Sequence, residues 1–324
     1  MATPLILKEL SKKVVLLTGG HRMCAGCGAP TVVKMVLLAS EYPVVASNAT
    51  GCLEVSTCIS EYTAWKIPWI HNAFENAAAT LSGVEAMYRS LKKQGKISDD
   101  IKFIAFGGDG GTYDIGFQSL SGAMERGHDM LYVCYDNGAY MNTGIQRSSA
   151  TPLGADTTTC PVGSANPGTR QVRKDLTRVM AAHGIPYVAQ ASPSHWADLM
   201  RKVRKALDIT GPKFMNIIAP CNRGWRSRTD DSIQLSRLAV ETCFWPLYEI
   251  ESGALRVTVK PKEKKPLVNF LKPQGRFKHL FSPENEWLLL QAQDEVDRTW
   301  ERLLKEEAFF APAETGEAAS KAAS

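Results

Sequence analysis

Short apolar, β-rich segments bounded by Gly, Pro, Asp or Asn alternate with amphipathic stretches along most of this chain, and that rhythm limits its fold. The spacing predicts strands over 44–47, 102–106, 130–135, 187–191 and 214–219. Between them it predicts helices over 30–39, 73–93, 117–126, 173–183 and 195–207, with Pro30 suited to a first turn and Pro193-Ser194 to a helix start. Strands separated by helices imply an α/β fold: a mostly parallel sheet with helices on both faces. A chain of 324 residues suits one large α/β domain or two smaller ones. Its 44% hydrophobic and 22% charged residues exclude a wholly disordered or fibrous protein. No apolar run approaches the roughly 20 residues that span a bilayer, and 1–13 shows no signal-peptide pattern, so the expectation is a cytoplasmic protein without membrane insertion.

Two regions break the rhythm. Residues 139–170 are rich in Gly, Thr, Ser and Pro, and a loop that long inside a compact domain is usually functional. Residues 256–278 hold eight basic side chains (Arg256, Lys260, Lys262, Lys264, Lys265, Lys272, Arg276, Lys278) against one acid, Glu263, a surplus larger than the net +5 of the whole chain. With Pro261, Pro266 and Pro273 the segment reads as an extended arm across a partner. A helix is expected over 282–305 and a disordered Ala/Glu/Ser tail over 311–324. The slightly acidic remainder, and an arm without interleaved aromatics, argue against nucleic acid.

The most informative stretch is Gly107-Gly108-Asp109-Gly110-Gly111, between the strand at 102–106 and a helix expected near Ile115. Glycines at a strand-to-helix turn let backbone amides approach a phosphate, and an acid among them can hold a hard cation. The strand at 130–135 ends in Asp136-Asn137-Gly138-Ala139-Tyr140-Met141-Asn142. Neighbouring parallel strands bring their carboxyl ends together, so Asp109, the Asn137 amide and a carbonyl near Ala139 can meet around one Mg²⁺. This pairing resembles the thiamine diphosphate and Mg²⁺ motif.

Cys24-Ala25-Gly26-Cys27, Cys52 and Cys221 lie in three loops that can converge. Four thiolates suit zinc or an iron–sulfur cluster, and spacing alone leaves both open. Joined to the thiamine motif, they make the chain similar to the β subunit of the 2-oxoacid:ferredoxin oxidoreductases, closest to the pyruvate type. The resemblance covers nearly the whole chain, through Gly20-His21-Arg22-Met23-Cys24-Ala25-Gly26-Cys27-Gly28, Thr50-Gly51-Cys52, Phe74-Glu75-Asn76-Ala77-Ala78-Ala79, 108–116, 140–146 and Pro220-Cys221.

The resemblance implies that Cys24, Cys27, Cys52 and Cys221 ligate one 4Fe–4S cluster. It implies Mg²⁺ on Asp109, Asn137 and Ala139, and thiamine diphosphate bordered by Ala29, Cys52, Gly108, Asp109, Gly110, Gly111, Asn137, Gly138, Ala139, Tyr140, Met141 and Asn142. Asn142 is expected nearest the reacting carbon. The implied activity is oxidative decarboxylation of a 2-oxoacid, most directly pyruvate, with coenzyme A to acyl-CoA and CO₂, electrons passing through the cluster to ferredoxin. Oxalate, branched-chain and aryl 2-oxoacids are the alternative substrates, and a non-redox thiamine lyase or carboligase with zinc is the alternative enzyme. Implied partners are an α subunit, ferredoxin-like γ and δ subunits or their fusions, and ferredoxin. The corresponding division is 1–250 for the cofactor domain, 251–310 for the arm and helix, and 311–324 for the tail.

A thiamine enzyme needs a carboxylate beside the aminopyrimidine ring, and only Glu54 and Glu75 offer themselves, each better read as structural. In the family this glutamate comes from the α subunit, so the chain is expected to be half of an active site. His71 and Asn72 are read as capping and packing residues, Arg147 and Arg170 as candidates for substrate or coenzyme A phosphates. Cys58, Cys134, Cys160 and Cys243 are read as packing cysteines.

Overall fold

In the computed structural model, which describes residues 5–59 and 61–310, the alternating segments fold as strands and crossover helices. In chain order they are α1 (Gly28–Ala39), β1 (Val44–Ala49), α2 (Cys52–Thr57), β2 (Trp69–Asn72), α3 (Ala77–Lys93), β3 (Lys102–Gly108), α4 (Phe117–Glu125), β4 (Leu131–Asp136), α5 (Leu176–Ala181), β5 (Tyr187–Ala191), α6 (Trp196–Asp208), β6 (Lys213–Ile218), α7 (Ser232–Glu241), β7 (Leu247–Glu251), β8 (Ala254–Val259) and α8 (Glu286–Phe310). One 8-stranded sheet runs β8-β7-β5-β6-β4-β3-β1-β2. Strands β1 to β6 are parallel, and β7 and β8 extend one edge as an antiparallel hairpin.

Strand side chains alternate between two buried layers, as a sheet covered on both faces requires. Ala46, Ile104, Val133 and Met215 pack with α1 and α6. Phe103, Ala105, Tyr132 and Phe214 face the other layer, with α3, α4 and α5. Cys134, as expected, is a fully buried packing residue there, and Cys243 is buried in a third cluster that also holds Trp225, Phe270 and Phe277. Because β1, β3 and β4 pair in register, their carboxyl ends share one rim, and the loops leaving that rim carry Cys52, Asp109 and Asn137 to Asn142.

Two expectations are corrected. Residues 69–72 form strand β2, paired parallel with β1 with His71 opposite Asn48, and α3 begins only at Ala77. Asn72 therefore donates to Ser47 Oγ at 2.7 Å and His71 meets Glu54 Oε1 at 2.9 Å, and neither caps a helix. A 4-residue edge strand is too short to display a two-residue period.

The segment 256–278 is not an extended arm. It contributes to β8, then turns through Val268–Leu271 and Gly275–Phe281, burying Phe270, Phe277 and Arg276. Arg256 pairs with Glu249, Lys260 with Glu307, Lys264 with Asp297 and Lys265 with Glu241. Most of those acids lie on α7 and α8, distant in sequence, so the charge of the window alone could not reveal its neutralisation. The expected tail at 311–324 lies outside the described residues.

One carboxylate fastens the antiparallel edge. Glu249, 3% exposed, accepts Tyr187 Oη at 2.7 Å, Lys205 Nζ at 2.9 Å and Arg256 Nη2 at 2.5 Å, joining β7 to β5, α6 and β8. Burial opposes its charge, but the three donors prevail and draw its pKa down to about 2. A depressed carboxyl contributes stability above its unfolded pKa of about 4.3 and loses it as pH falls toward the folded value. Glu249→Gln should therefore cost about 2 kcal/mol near neutral pH, and the gap in urea unfolding between variant and wild type should shrink as pH falls below about 4 and close only near the folded pKa of about 2. An equal gap at both pH values would contradict the assignment.

Candidate functional site

Where the rim meets solvent, a cleft of about 450 Å³ is lined by Thr50, Gly51, Cys52, Phe74, Gly108–Gly111, Tyr135, Asn137 and Ala139–Thr143. It gathers nearly all the residues predicted around the cofactor. Gly138 lies just behind it, and Ala29 is buried in the first turn of α1, outside the lining, where its amide faces the Cys27 sulfur. Asn142 stands exposed on the cleft rim.

The turn after β3 is tighter than a simple helix start. Gly110–Asp114 forms one π-helical turn before α4, with Ile115 N donating to Gly110 O at 3.3 Å. Such turns recur at functional sites. A Cβ on Gly110 would fall 2.4 Å from the Tyr140 ring, and one on Gly111 2.9 Å from Phe74. The glycines thus admit the Phe74–Tyr140 edge-to-face pair (centroids 5.7 Å apart) that walls the cleft, a role the phosphate argument did not foresee.

Register places Gly108 opposite Tyr135, so Asp109 and Asp136 leave adjacent strand ends together, both buried. Their charges are handled differently. Asp136 accepts Tyr113 Oη at 2.6 Å, Arg173 Nη2 at 2.7 Å and Gly138 N at 3.1 Å, so its charge is answered inside the protein. Asp109 receives Ser148 Oγ at 2.5 Å and Asn137 N at 3.3 Å, and no basic side chain forms an ion pair with it among the described residues. Burial, then the Asp136 charge, push its carboxyl well above the usual range. The Asn137 amide end lies 2.9 Å from both Asp109 Oδ1 and the Ala139 carbonyl. With its nitrogen inward it donates to both; with its oxygen inward three oxygens face one point. A buried carboxylate without a basic partner beside two more oxygens fits a hard divalent cation.

The four predicted thiols converge at the neighbouring end of the rim. Cys27 N closes a turn on Cys24 O at 3.1 Å, and Gly28 N reaches Pro220 O at 2.9 Å, which brings the Cys24–Cys27 loop against Cys221. Cys52 begins α2, and Cys221 accepts Gly224 N at 3.4 Å. Cys27 senses the charge of the other three, Cys52 that of Cys221 and Cys24, and Cys221 that of Cys24. Burial first, then those neighbours, push three of the thiols up, Cys27 to about 12, Cys52 to about 11, and Cys221 in the same direction. Uncompensated thiols gathered in this way suit a metal centre that would take their protons' place. Among the described residues, no three of these four sulfurs lie within 4.8 Å of one another. Cys52 belongs to both constellations, because it also lines the cleft.

Several supporting residues were not anticipated. Ser148 and Thr151, inside the long loop, hold Asp109 and the Gly138 carbonyl. Trp225 Nε1 donates to Asn137 O at 2.6 Å, and Arg173 reaches Asp136 from 37 positions away. Only the polar composition of 139–170 offered a signal; Trp225 and Arg173 carry none in spacing. Glu54 and Glu75 do not line the cleft, whose only carboxylate among the described residues is Asp109. Arg147 has a buried, unpartnered Nε, while Arg170 bonds the Ala165 carbonyl at the surface. Cys58 and Cys160 are half-buried, Cys58 close to Glu54 and His71.

Comparison with known proteins matches residues 49–217 to the family described as thiamine pyrophosphate enzyme, C-terminal TPP binding domain. The pyruvate synthase subunit PorB of Thermotoga maritima is 55% identical over 305 residues, covering 92% of this chain and 94% of that one. Its counterpart from Methanocaldococcus jannaschii is 57% identical over 269 residues (82% and 90%). A ketoisovalerate oxidoreductase subunit VorB from Pyrococcus abyssi is 43% identical over 288 residues (88% and 91%). Among solved structures, a 2-oxoglutarate:ferredoxin oxidoreductase from Magnetococcus marinus superposes with TM-score 0.52 at 20% identity, covering 67% of this chain and 77% of that one. That likeness concerns the fold.

Proposed function

The chain belongs to the pyruvate synthase subunit PorB family of thiamine diphosphate enzymes, and from that premise we propose that it carries the cofactor half of a pyruvate:ferredoxin oxidoreductase. The reaction is oxidative decarboxylation of pyruvate with coenzyme A to acetyl-CoA and CO₂, electrons leaving through a 4Fe–4S cluster to ferredoxin. The observation that carries this reading is Cys52, one side chain shared by the cofactor cleft and the thiol set. An electron acceptor held by Cys52 would border the cleft that would hold the cofactor.

Thiamine diphosphate, when bound, supplies the carbon nucleophile and electron sink that decarboxylation of a 2-oxoacid needs. The chain's own residues do the holding. Asp109, the Asn137 amide oxygen and the Ala139 carbonyl hold Mg²⁺ for the diphosphate, Ser148 orients Asp109, and Trp225 fixes Asn137. Phe74, Tyr140 and Met141 wall the cleft, and Asn142 on its rim is the side chain closest to substrate. Arg147, with its unpartnered Nε, is available to an anionic group of substrate or coenzyme A. No glutamate lines the cleft, which supports an activating carboxylate delivered by an α subunit, with ferredoxin-like subunits receiving the electrons.

Four thiolates suit either zinc or a cluster; the proposed electron-accepting role requires the cluster, because zinc has no redox chemistry. The 43% identity to a ketoisovalerate enzyme subunit makes branched-chain 2-oxoacids the second substrate class.

The test is anaerobic purification with the partner subunits, assay of iron, acid-labile sulfide and thiamine diphosphate, and dye reduction by a 2-oxoacid panel. Coenzyme A-dependent reduction by pyruvate is expected. A colourless complex with one zinc per chain, or no reduction by any 2-oxoacid, would refute the proposal.

A further inference from the structure

The surplus of positive charge at 256–278 leaves one member in an unusual position. Arg276 is 2% exposed, although a guanidinium is among the groups most costly to bury. Its neighbours on the chain are pinned: Asp156 N donates to Arg276 O at 3.0 Å, and a Cβ on Gly275 would come 2.8 Å from Arg226. The head group lies over Trp225 at 4.5 Å and Phe277 at 5.0 Å, and Nε donates to Gln274 Oε1 at 3.0 Å. No carboxylate forms an ion pair with it among the described residues, in contrast to Arg173, which is paired with Asp136.

What Arg276 faces is the site itself. Nη1 would lie 3.1 Å from a Cβ on Gly138, so the guanidinium backs the 137–139 loop. The anions acting on it are Cys221, Asp136 and Asp109, with Arg173 opposing. Burial lowers its pKa to about 9, which still leaves it charged near neutral pH. The Trp225 ring beneath it closes the short helical turn that Cys221 opens, so the guanidinium is wedged between that turn and the 137–139 loop, and a cation buried there is stabilised only when the groups on either side carry negative charge.

We propose that Arg276 is a fixed internal counter-charge that raises the reduction potential of the thiol-held cluster and links it electrostatically to the Asp109 site. This rests on the reading of the four thiols as cluster ligands. One-electron reduction adds one negative charge to a thiolate-held cluster while no bond forms or breaks. A positive charge in low dielectric beside it stabilises the reduced form, and net local charge is one of the recognised levers on cluster potential. Arg276 acts through the field it supplies, so it is a positioning residue rather than a catalytic one.

The test uses the assembled complex purified anaerobically, with Arg276→Gln and Arg276→Lys variants and a redox titration followed by electron paramagnetic resonance. A Cys221→Ser control identifies the signal that belongs to this cluster. In the Gln variant, at wild-type iron and thiamine diphosphate content, the midpoint should move negative by a tenfold or larger change in the reduction equilibrium, about 59 mV for one electron. The Lys variant should stay near wild type. An unchanged midpoint in the Gln variant, or an equal shift in the Lys variant, would overturn the proposal alone. Should the Gln variant lose its iron, retention by the Lys variant supports the charge requirement and loss from both overturns it. Wild-type complex without iron would overturn the premise and the proposal together.

Discussion

Asp109→Asn should weaken Mg²⁺-dependent thiamine diphosphate binding more than about 100-fold, beyond what loss of an outer-shell partner costs a metal site, while leaving the cofactor-free chain more stable. The two effects share one cause. Asp109 is buried beside Asp136, yet Arg173 and Tyr113 answer only Asp136. Without a cation, the Asp109 charge pays desolvation and like-charge repulsion with one hydroxyl and one amide as recompense. An amide of the same shape keeps the acceptor for Ser148, gives up the long 3.3 Å bond from Asn137 N and removes the charge, so unfolding of the cofactor-free variant should require about 1 kcal/mol more. Calorimetric titration with thiamine diphosphate and Mg²⁺, beside urea unfolding without them, measures both. A variant that still binds cofactor, or one destabilised when empty, would show that Asp109 is a packing residue and that the cation sits elsewhere.

The same physics explains what was legible in the sequence. Parallel strands covered on both faces leave continuous apolar runs, and all five predicted strands exist with ends shifted by no more than two residues. Residues whose function is set by the end of a strand, such as Asp109 and Asn137, inherit their positions from that pattern and could be placed by it. Trp225 and Arg173 could not, because what they do depends on a contact across 88 and 37 positions. The segment 256–278 misled for a related reason: a run of lysines and arginines looks solvated until α7 and α8 supply the opposing acids. The edge strand β2 was hidden because its four residues owe their conformation to β1 rather than to a period of their own.

Gly26→Ala should empty the thiol site while sparing the cofactor cleft, although it removes no sulfur. Gly26 has φ +78°, a conformation that L side chains rarely adopt. A Cβ there would fall 2.0 Å from the Thr229 carbonyl oxygen and within 2.8 Å of that residue's carbonyl carbon and Cα. These are backbone atoms, and Ser232 Oγ donates to the Gly26 carbonyl from the first turn of α7, so neither side of the contact yields by rotating a side chain. The Cys24–Cys27 loop must move as a body, and two of the four sulfurs move with it. Strain of this kind costs of order 1–3 kcal/mol locally, and the displaced ligands should lower iron per chain about tenfold or more, in line with the sensitivity of metal sites to ligand placement. The three atoms nearest to a Cβ on Gly26 all belong to Thr229 and none to the cleft loops at 50–52, 108–111 and 137–143, so thiamine diphosphate binding should persist within about twofold of wild type. Gly19→Ala is the matched control, since a Cβ there meets nothing within 4 Å. Iron and thiamine diphosphate assayed together on both variants separate the outcomes: loss of both groups from Gly26→Ala would mean that the two sites fold as one unit, and full iron retention would remove the Cys24–Cys27 loop from the ligand set.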